Sequence, residues 1–125
     1  MFEELEVIAV LPAQDMDRAL GFYKDTFGFE PAEVNEGGVL FRVGKGTSFM
    51  LYETSNAGTA KNTQLCWMTD DLDRDMTELR SRGVVFADFD FPGLKTENGV
   101  ATDENMRSAW FSDSEGNVLC IGERT

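Results

Sequence analysis

Asp15-Met16-Asp17-Arg18-Ala19-Leu20-Gly21-Phe22-Tyr23 opens with a pattern that returns 56 residues later, as Asp71-Leu72-Asp73-Arg74 ahead of Met76 and Leu79. In each copy an aspartate stands where a helix N-cap accepts a free N–H group, and the apolar residues behind it recur at helical spacing. Met16, Leu20, Tyr23 and Phe27 fall on one face, and Gly28 follows where a left-handed residue closes a helix, so the spacing predicts a helix over 16–27. A duplicated unit in so short a chain implies two stacked copies of one supersecondary motif, with a ligand expected near the seam between them. The plain alternative is two unrelated helices that share a capping solution.

Outward from the first helix, Leu5 to Leu11 is mostly apolar and reads as a buried strand ending at Pro12. Three further strands are expected at Phe29 to Val34, Val39 to Val43 and Ser48 to Thr54, with turns at Gly37-Gly38 and Gly44-Lys45-Gly46. The first copy is therefore βαβββ, over about residues 1–57, and the polar stretch at about 55–62 connects it to the second, over about 63–125. There Gln64 to Met68 reads as a strand, and Leu72, Met76 and Leu79 as a helix stripe ahead of Gly83. Val84 to Phe89 reads as another strand, and Ser108 to Ser112 and Asn117 to Ile121 flank a turn at Asp113-Ser114-Glu115-Gly116. The segment from Phe91 to Met106 is too long and irregular for a hairpin, which suggests either a lid over a site or an ordinary surface loop. The expected fold class is α+β: a single domain of two βαβββ modules whose mixed sheets curl around a shared cleft, with the helices on the outer faces.

Composition narrows the function classes. The chain has 125 residues, of which 42% are hydrophobic, and ten Phe, enough for a genuine core and too apolar for disorder. No apolar run is long enough to span a bilayer, and the acidic start lacks the features of a secretory signal, so a cytoplasmic protein is expected. Eleven basic against 23 acidic residues give a formal charge of -12, which repels nucleic acid and anionic lipid and favours a cationic ligand, or simply keeps the protein soluble. Cys66 and Cys120 lie in apolar runs, outside any CxxC or zinc-like spacing.

The run Asp15 to Tyr23 with Phe27-Gly28-Phe29, and later Phe111-Ser112-Asp113-Ser114-Glu115-Gly116-Asn117-Val118, resembles the vicinal oxygen chelate superfamily. That group includes glyoxalase I, extradiol dioxygenases, methylmalonyl-CoA epimerase and the fosfomycin- and bleomycin-resistance proteins. The resemblance covers nearly the whole chain and implies paired βαβββ modules, but these motifs do not identify a reaction. In metal-dependent members a divalent ion is held by His, Glu or Gln on the first and last strand of each module. Counting from the two helix-opening aspartates, the corresponding positions are Ile8 and Gln64 on the first strands. On the last strands they are Cys120 and either Tyr52 or, with the register slipped by two, Met50. The chain contains no His, Ile8 offers no donor, and a hard ion would not choose a Tyr and Cys pair. A soft-metal site at Cys120 with Cys66 is conceivable but lacks further ligands. No metal and no cofactor is expected.

Strand alternation places Ile8, Val10, Met50, Tyr52, Gln64, Cys66, Met68, Val118 and Cys120 on the cleft face, joined by Phe41 or Arg42 and by Trp110 or Phe111. Such a wall suits a planar or hydrophobic molecule oriented by the Gln64 amide and the Tyr52 hydroxyl; the same side chains could instead fill the cleft as core. No residue is assigned a catalytic role. Glu53 and Glu123 read as solvated carboxylates at strand ends, and a Cys120 nucleophile would lack a His partner. The expected function is binding or sequestration of a small hydrophobic or cationic molecule by a metal-independent relative of bleomycin-resistance proteins, acting as a homodimer. The alternatives are a glyoxalase-like lyase or isomerase with a divergent site, and a structural or regulatory module with a closed cleft.

Overall fold

The computed structural model describes residues 1–125. After a short 3-10 turn at Phe2–Glu4, strand β1 (Ala9–Ala13) leads to helix α1 (Met16–Phe27) and then to β2 (Glu33–Asn35), β3 (Gly38–Val43) and β4 (Thr47–Glu53). The second half repeats this order with β5 (Leu65–Met68), α2 (Leu72–Ser81), a small hairpin of β6 (Asp90–Phe91) and β7 (Leu94–Lys95), then β8 (Ala101–Thr102), β9 (Met106–Ser112) and β10 (Val118–Arg124). The two four-stranded sheets are ordered β1-β4-β3-β2 and β5-β10-β9-β8, each with its first strand parallel to its last and the others antiparallel. Both halves are thus βαβββ, as the repeat predicts.

The helix caps repeat as well. The Asp15 carboxylate accepts from the Arg18 N–H at 3.1 Å and that of Asp71 from the Arg74 N–H at 3.1 Å, so each helix starts with the same satisfied donor. Gly28 closes α1 with φ of 75°, its N–H reaching Lys24 O, which is the αL ending, while Phe29 N–H reaches Tyr23 O.

One core unites the modules. Leu11, Ala13, Phe41, Phe49 and Leu51 from the first sheet and Ala109, Phe111, Leu119 and Ile121 from the second belong to a single buried cluster with Ala19, Tyr23, Leu72, Met76 and Leu79 of the helices. Phe27 bridges the halves, its ring 4.8 Å from Trp67 and 6.1 Å from Phe111. Each such aromatic contributes about 1.5–3 kcal/mol by burial, and its ring contacts somewhat more. The sheets do not close on one another. Their helix-bearing faces meet in this core, and their other faces stay open.

Several expected boundaries move. The strand expected from Leu5 begins only at Ala9 and continues through Pro12, which β1 tolerates because it is an edge strand. The strand expected over Phe29–Val34 shrinks to Glu33–Asn35, because Phe29 instead packs on the core against Phe27. Val84–Phe89 is not a strand: Val84 and Phe86 are buried and Val85 exposed, the expected alternation, but the segment takes only one backbone bond from this sheet, Ala87 N–H to Trp110 O. Residues 91–106 are more ordered than expected, with the β6-β7 hairpin running into them and β8 pairing β9. The Asp88 carboxylate accepts from Thr96 Oγ1 and Gly99 N, and Arg80 donates to Asn98 O, which anchors the segment against α2. No helix is long and apolar enough to cross a membrane.

Candidate functional site

The two open sheet faces carry most of the residues singled out from the sequence. On the first sheet Val10 pairs with Met50 and Met50 with Leu40, and Pro12 pairs with Tyr52. On the second, Cys120 lies between Cys66 and Trp110, and Gly122 between Met68 and Ser108. Burial settles the two open parities. Phe41 and Phe111 point into the core, so Arg42 and Trp110 share the helix-free faces. Ile8 precedes β1 at 41% exposure, Val10 is 51% exposed, Tyr52 39% and Met68 45%, which leaves large apolar groups uncovered in the single chain.

The register also decides between Tyr52 and Met50. Val10 and Cys66 are equivalent across the repeat, and they pair with Met50 and Cys120 respectively, so Met50 is the counterpart of Cys120 and Tyr52 that of Gly122. Gln64 is not a free handle. Its Nε2 donates to Asn117 Oδ1 at 3.1 Å and its Oε1 accepts from Val118 N at 2.9 Å, which satisfies the amide from both ends. Trp110 is held from its edge, Nε1 donating to Thr63 Oγ1 at 3.0 Å.

The turn at 113–117 clasps the two modules. Asp113 is buried. Its Oδ1 accepts from Glu115 N and Asn117 N, and its Oδ2 accepts from Asn117 Nδ2 and, at 2.7 Å, from the Tyr23 hydroxyl of α1. Burial foremost, then the Asp113 charge, pushes the Tyr23 phenol up, so it stays a donor. Glu115 accepts from Gln14 N, Asp15 N and the Arg18 guanidinium at 2.8 and 3.0 Å. These bonds, Arg18 first and against the cost of burial, hold its carboxyl down to about 2. Asn117 completes the clasp by donating to Pro12 O. Sequence reading used these residues as a fold marker and missed their roles; Tyr23 and Arg18 at i and i−5 behind a shared N-cap were the available signal.

Glu123 departs from its expected solvated role. It accepts from Leu72 N at the start of α2 and pairs with Arg107, whereas Glu53 is exposed as expected. Cys66 and Cys120 are register partners on adjacent strands, and the Cys66 thiol donates to Trp67 O at 3.5 Å; the neighbouring Cys120 thiol draws Cys66 below its ordinary range, while Cys66 and burial push Cys120 up. No three His, Cys, Asp or Glu side chains converge as a metal cluster. Two concavities lie on the helix side, the first reached by Met68. One, of 270 Å³, sits between the helices and is walled by Phe27, Phe29, Trp67 and Phe111; the other, of 530 Å³, lies beside α2 with Arg80, Lys95 and Arg107 on its rim.

A family model described as Glyoxalase/Bleomycin resistance protein/Dioxygenase superfamily matches residues 6–121. The chain belongs to this superfamily. Among solved structures, TnmS3, an antibiotic binding protein from Streptomyces sp. CB03234, is 25% identical with a TM-score of 0.67, the match covering 98% of this chain and 97% of that one. A glyoxalase/bleomycin resistance protein from the same organism is 28% identical, with a TM-score of 0.65 and 97% and 100% coverage. A lactoylglutathione lyase from Agrobacterium tumefaciens shares the fold at 23% identity and a TM-score of 0.66, covering 96% and 93%. Among curated proteins none matches. Glyoxalase-superfamily membership accounts for the paired modules and does not by itself name a reaction.

Proposed function

We propose that this glyoxalase-superfamily chain binds a small hydrophobic or cationic organic molecule against its helix-free sheet faces, with no divalent ion in the site, and that a second copy of the chain covers those faces to complete the cleft. The carrying observation is the uncovered apolar surface of Val10, Tyr52 and Met68 on sheets whose opposite faces form the core. A cleft walled by Met50, Met68 and Trp110 suits a planar apolar body, and the charge of -12 favours a cation. Similarity to an antibiotic binding protein at 25% identity supports the same reading.

The positions at which metal-dependent relatives hold their ion correspond to Ile8, Met50, Gln64 and Cys120. Ile8 has no donor atom, Met50 offers a thioether, the Gln64 amide is spent on Asn117 and Val118, and Cys120 is buried beside Cys66. Such a set does not fit a hard divalent ion, which requires several oxygen ligands, and no step is derived through one. Cys66 and Cys120 lack an imidazole base, so nucleophilic catalysis is not part of this reading.

Calorimetric titration with metal-free bleomycin, paired with elemental analysis of protein purified without chelator, tests the proposal. Saturable binding that Val10→Glu weakens, with no stoichiometric zinc, nickel, manganese or iron, is expected. One equivalent of any of those ions, or binding indifferent to Val10→Glu, would contradict it.

A further inference from the structure

The 270 Å³ cavity on the helix side is lined by both modules, with Thr26, Phe27 and Phe29 from the first and Trp67, Phe111 and the flank of α2 from the second. Gly28, at φ of 75°, turns the chain at the end of α1, and the rings on either side of it stack 5.2 Å apart with 17° between their planes. Trp67 stands 4.8 Å from Phe27 and stacks on Phe111 at 6.5 Å and 15°. Phe27, Phe29 and Trp67 are only half-buried, so aromatic surface is left uncovered along this cavity.

The charged groups of the lining are spent on one another. Glu78 meets Arg82 at 2.8 Å, Arg82 also donates to Thr26 O at 2.8 Å, and Asp75 is held by Arg74 at 3.0 Å and by the Thr69 hydroxyl. No charge is left for a guest to neutralise, and an ion entering would lose its water without gaining a partner. The Trp67 indole differs. Its N–H meets no acceptor in the chain, whereas that of Trp110 is held by Thr63. No side-chain nitrogen is buried without a partner, so the Trp67 N–H stays reachable from outside. A tryptophan with an apolar body in the core and a free N–H at its edge can hold a ligand by both.

We propose that this cavity binds a neutral, planar aromatic molecule of one or two rings that carries a hydrogen-bond acceptor, with the ring against Phe27, Phe29 and Trp67 and the acceptor on the Trp67 N–H. Pockets for drug-sized ligands occupy about 300–1,000 Å³, so a cavity of 270 Å³ suits a smaller body. The selectivity differs from that of the open faces, where a hydrophobic or cationic molecule is proposed to bind beneath a second copy. This cavity is complete within one chain, and of the wall of Met50, Met68 and Trp110 it shares only Met68. It stands whether or not the cleft binds anything.

The test follows both indole N–H resonances of the isotopically labelled full chain by NMR during titration at neutral pH. The ligands are quinoline, which is neutral there, and N-methylquinolinium, which keeps the shape but carries a charge and has no free lone pair. The Trp67 resonance is the one that survives in Trp110→Phe. Quinoline should move it downfield to saturation, and N-methylquinolinium should bind roughly tenfold more weakly for want of the hydrogen bond. Phe29→Leu should weaken quinoline roughly fivefold by removing a ring contact, and Leu79→Phe, which adds a ring to the lining, should abolish saturation. Each variant is checked for native circular dichroism, and the comparison of the two ligands needs no variant if either unfolds. A Trp67 resonance unmoved by quinoline, equal or tighter binding of N-methylquinolinium, or indifference to both substitutions in folded protein would overturn the site. Movement of Trp110 alone would also overturn it, by placing quinoline on the open face, and would leave the proposed cleft untouched.

Discussion

Glu115 is the residue on which the joint between the modules depends most. Its carboxylate is inaccessible to solvent and faces Arg18 at 2.8 Å, so removing the arginine side chain strands a buried charge. Arg18→Ala should cost about 3 kcal/mol, read as a lowered urea midpoint with an unchanged slope. The pH dependence follows from the same pairing. The folded carboxyl sits at about 2, below its ordinary value, so its stabilisation is complete above pH 4.5 and is lost as pH falls towards 2. That loss should amount to about 3 kcal/mol in the wild-type chain and be absent in Glu115→Gln, measured by urea unfolding between pH 5 and 2. Tyr23→Phe leaves the buried Asp113 carboxylate one donor short and should cost about 1.5–3 kcal/mol by the same measurement. Little of this was legible in sequence, because Arg18 meets Glu115 across 97 residues and Tyr23 meets Asp113 across 90, contacts that no local pattern encodes. Gln64 illustrates the same gap: its position on the wall was legible, but its partners Asn117 and Val118 were not.

At the scale of elements, local signals fixed what local chemistry controls. Asp15 and Asp71 cap their helices with the same bond at 3.1 Å, and Gly28 ends α1 as its φ requires, so the helices were readable from caps and stripes. Asp15→Ala and Asp71→Ala should each lower stability by about 1 kcal/mol, and their effects should add, because the caps share no partner. A double variant that costs clearly more than the sum would show that the repeat is coupled through its caps. Strands were readable by face and less so by pairing. Along Val84–Phe89 the alternation reported burial correctly, but a strand also needs a neighbour's ladder, and that segment receives one bond from β9. Pro12 misled for the opposite reason, since an edge position removes the need for its missing N–H.

For the whole molecule, the duplicated motif specified two βαβββ units, and superfamily membership agrees with them. Parity along the strands placed Val10, Met50 and Cys66 on one face but left Trp110 and Phe111 open until burial decided, and which faces would meet depended on packing between modules. Because the helix-bearing faces meet within the chain, the other faces stay uncovered in it, and the proposed function gives them to a second copy. Sedimentation equilibrium should find a dimer, and Val10→Glu, which puts a charge on the open face, should give a folded monomer. A wild-type monomer would contradict the shared cleft. The most direct test of the binding claim follows Trp110, which lies on that face with its indole N–H held by Thr63. Chelator-treated protein is titrated with metal-free bleomycin and, separately, with 8-anilinonaphthalene-1-sulfonate, and its emission is compared with that of Trp110→Phe. A saturable change that disappears in Trp110→Phe and is stronger for the cationic drug is the expected result. No saturable change with either compound, or a change that persists in Trp110→Phe, would contradict it.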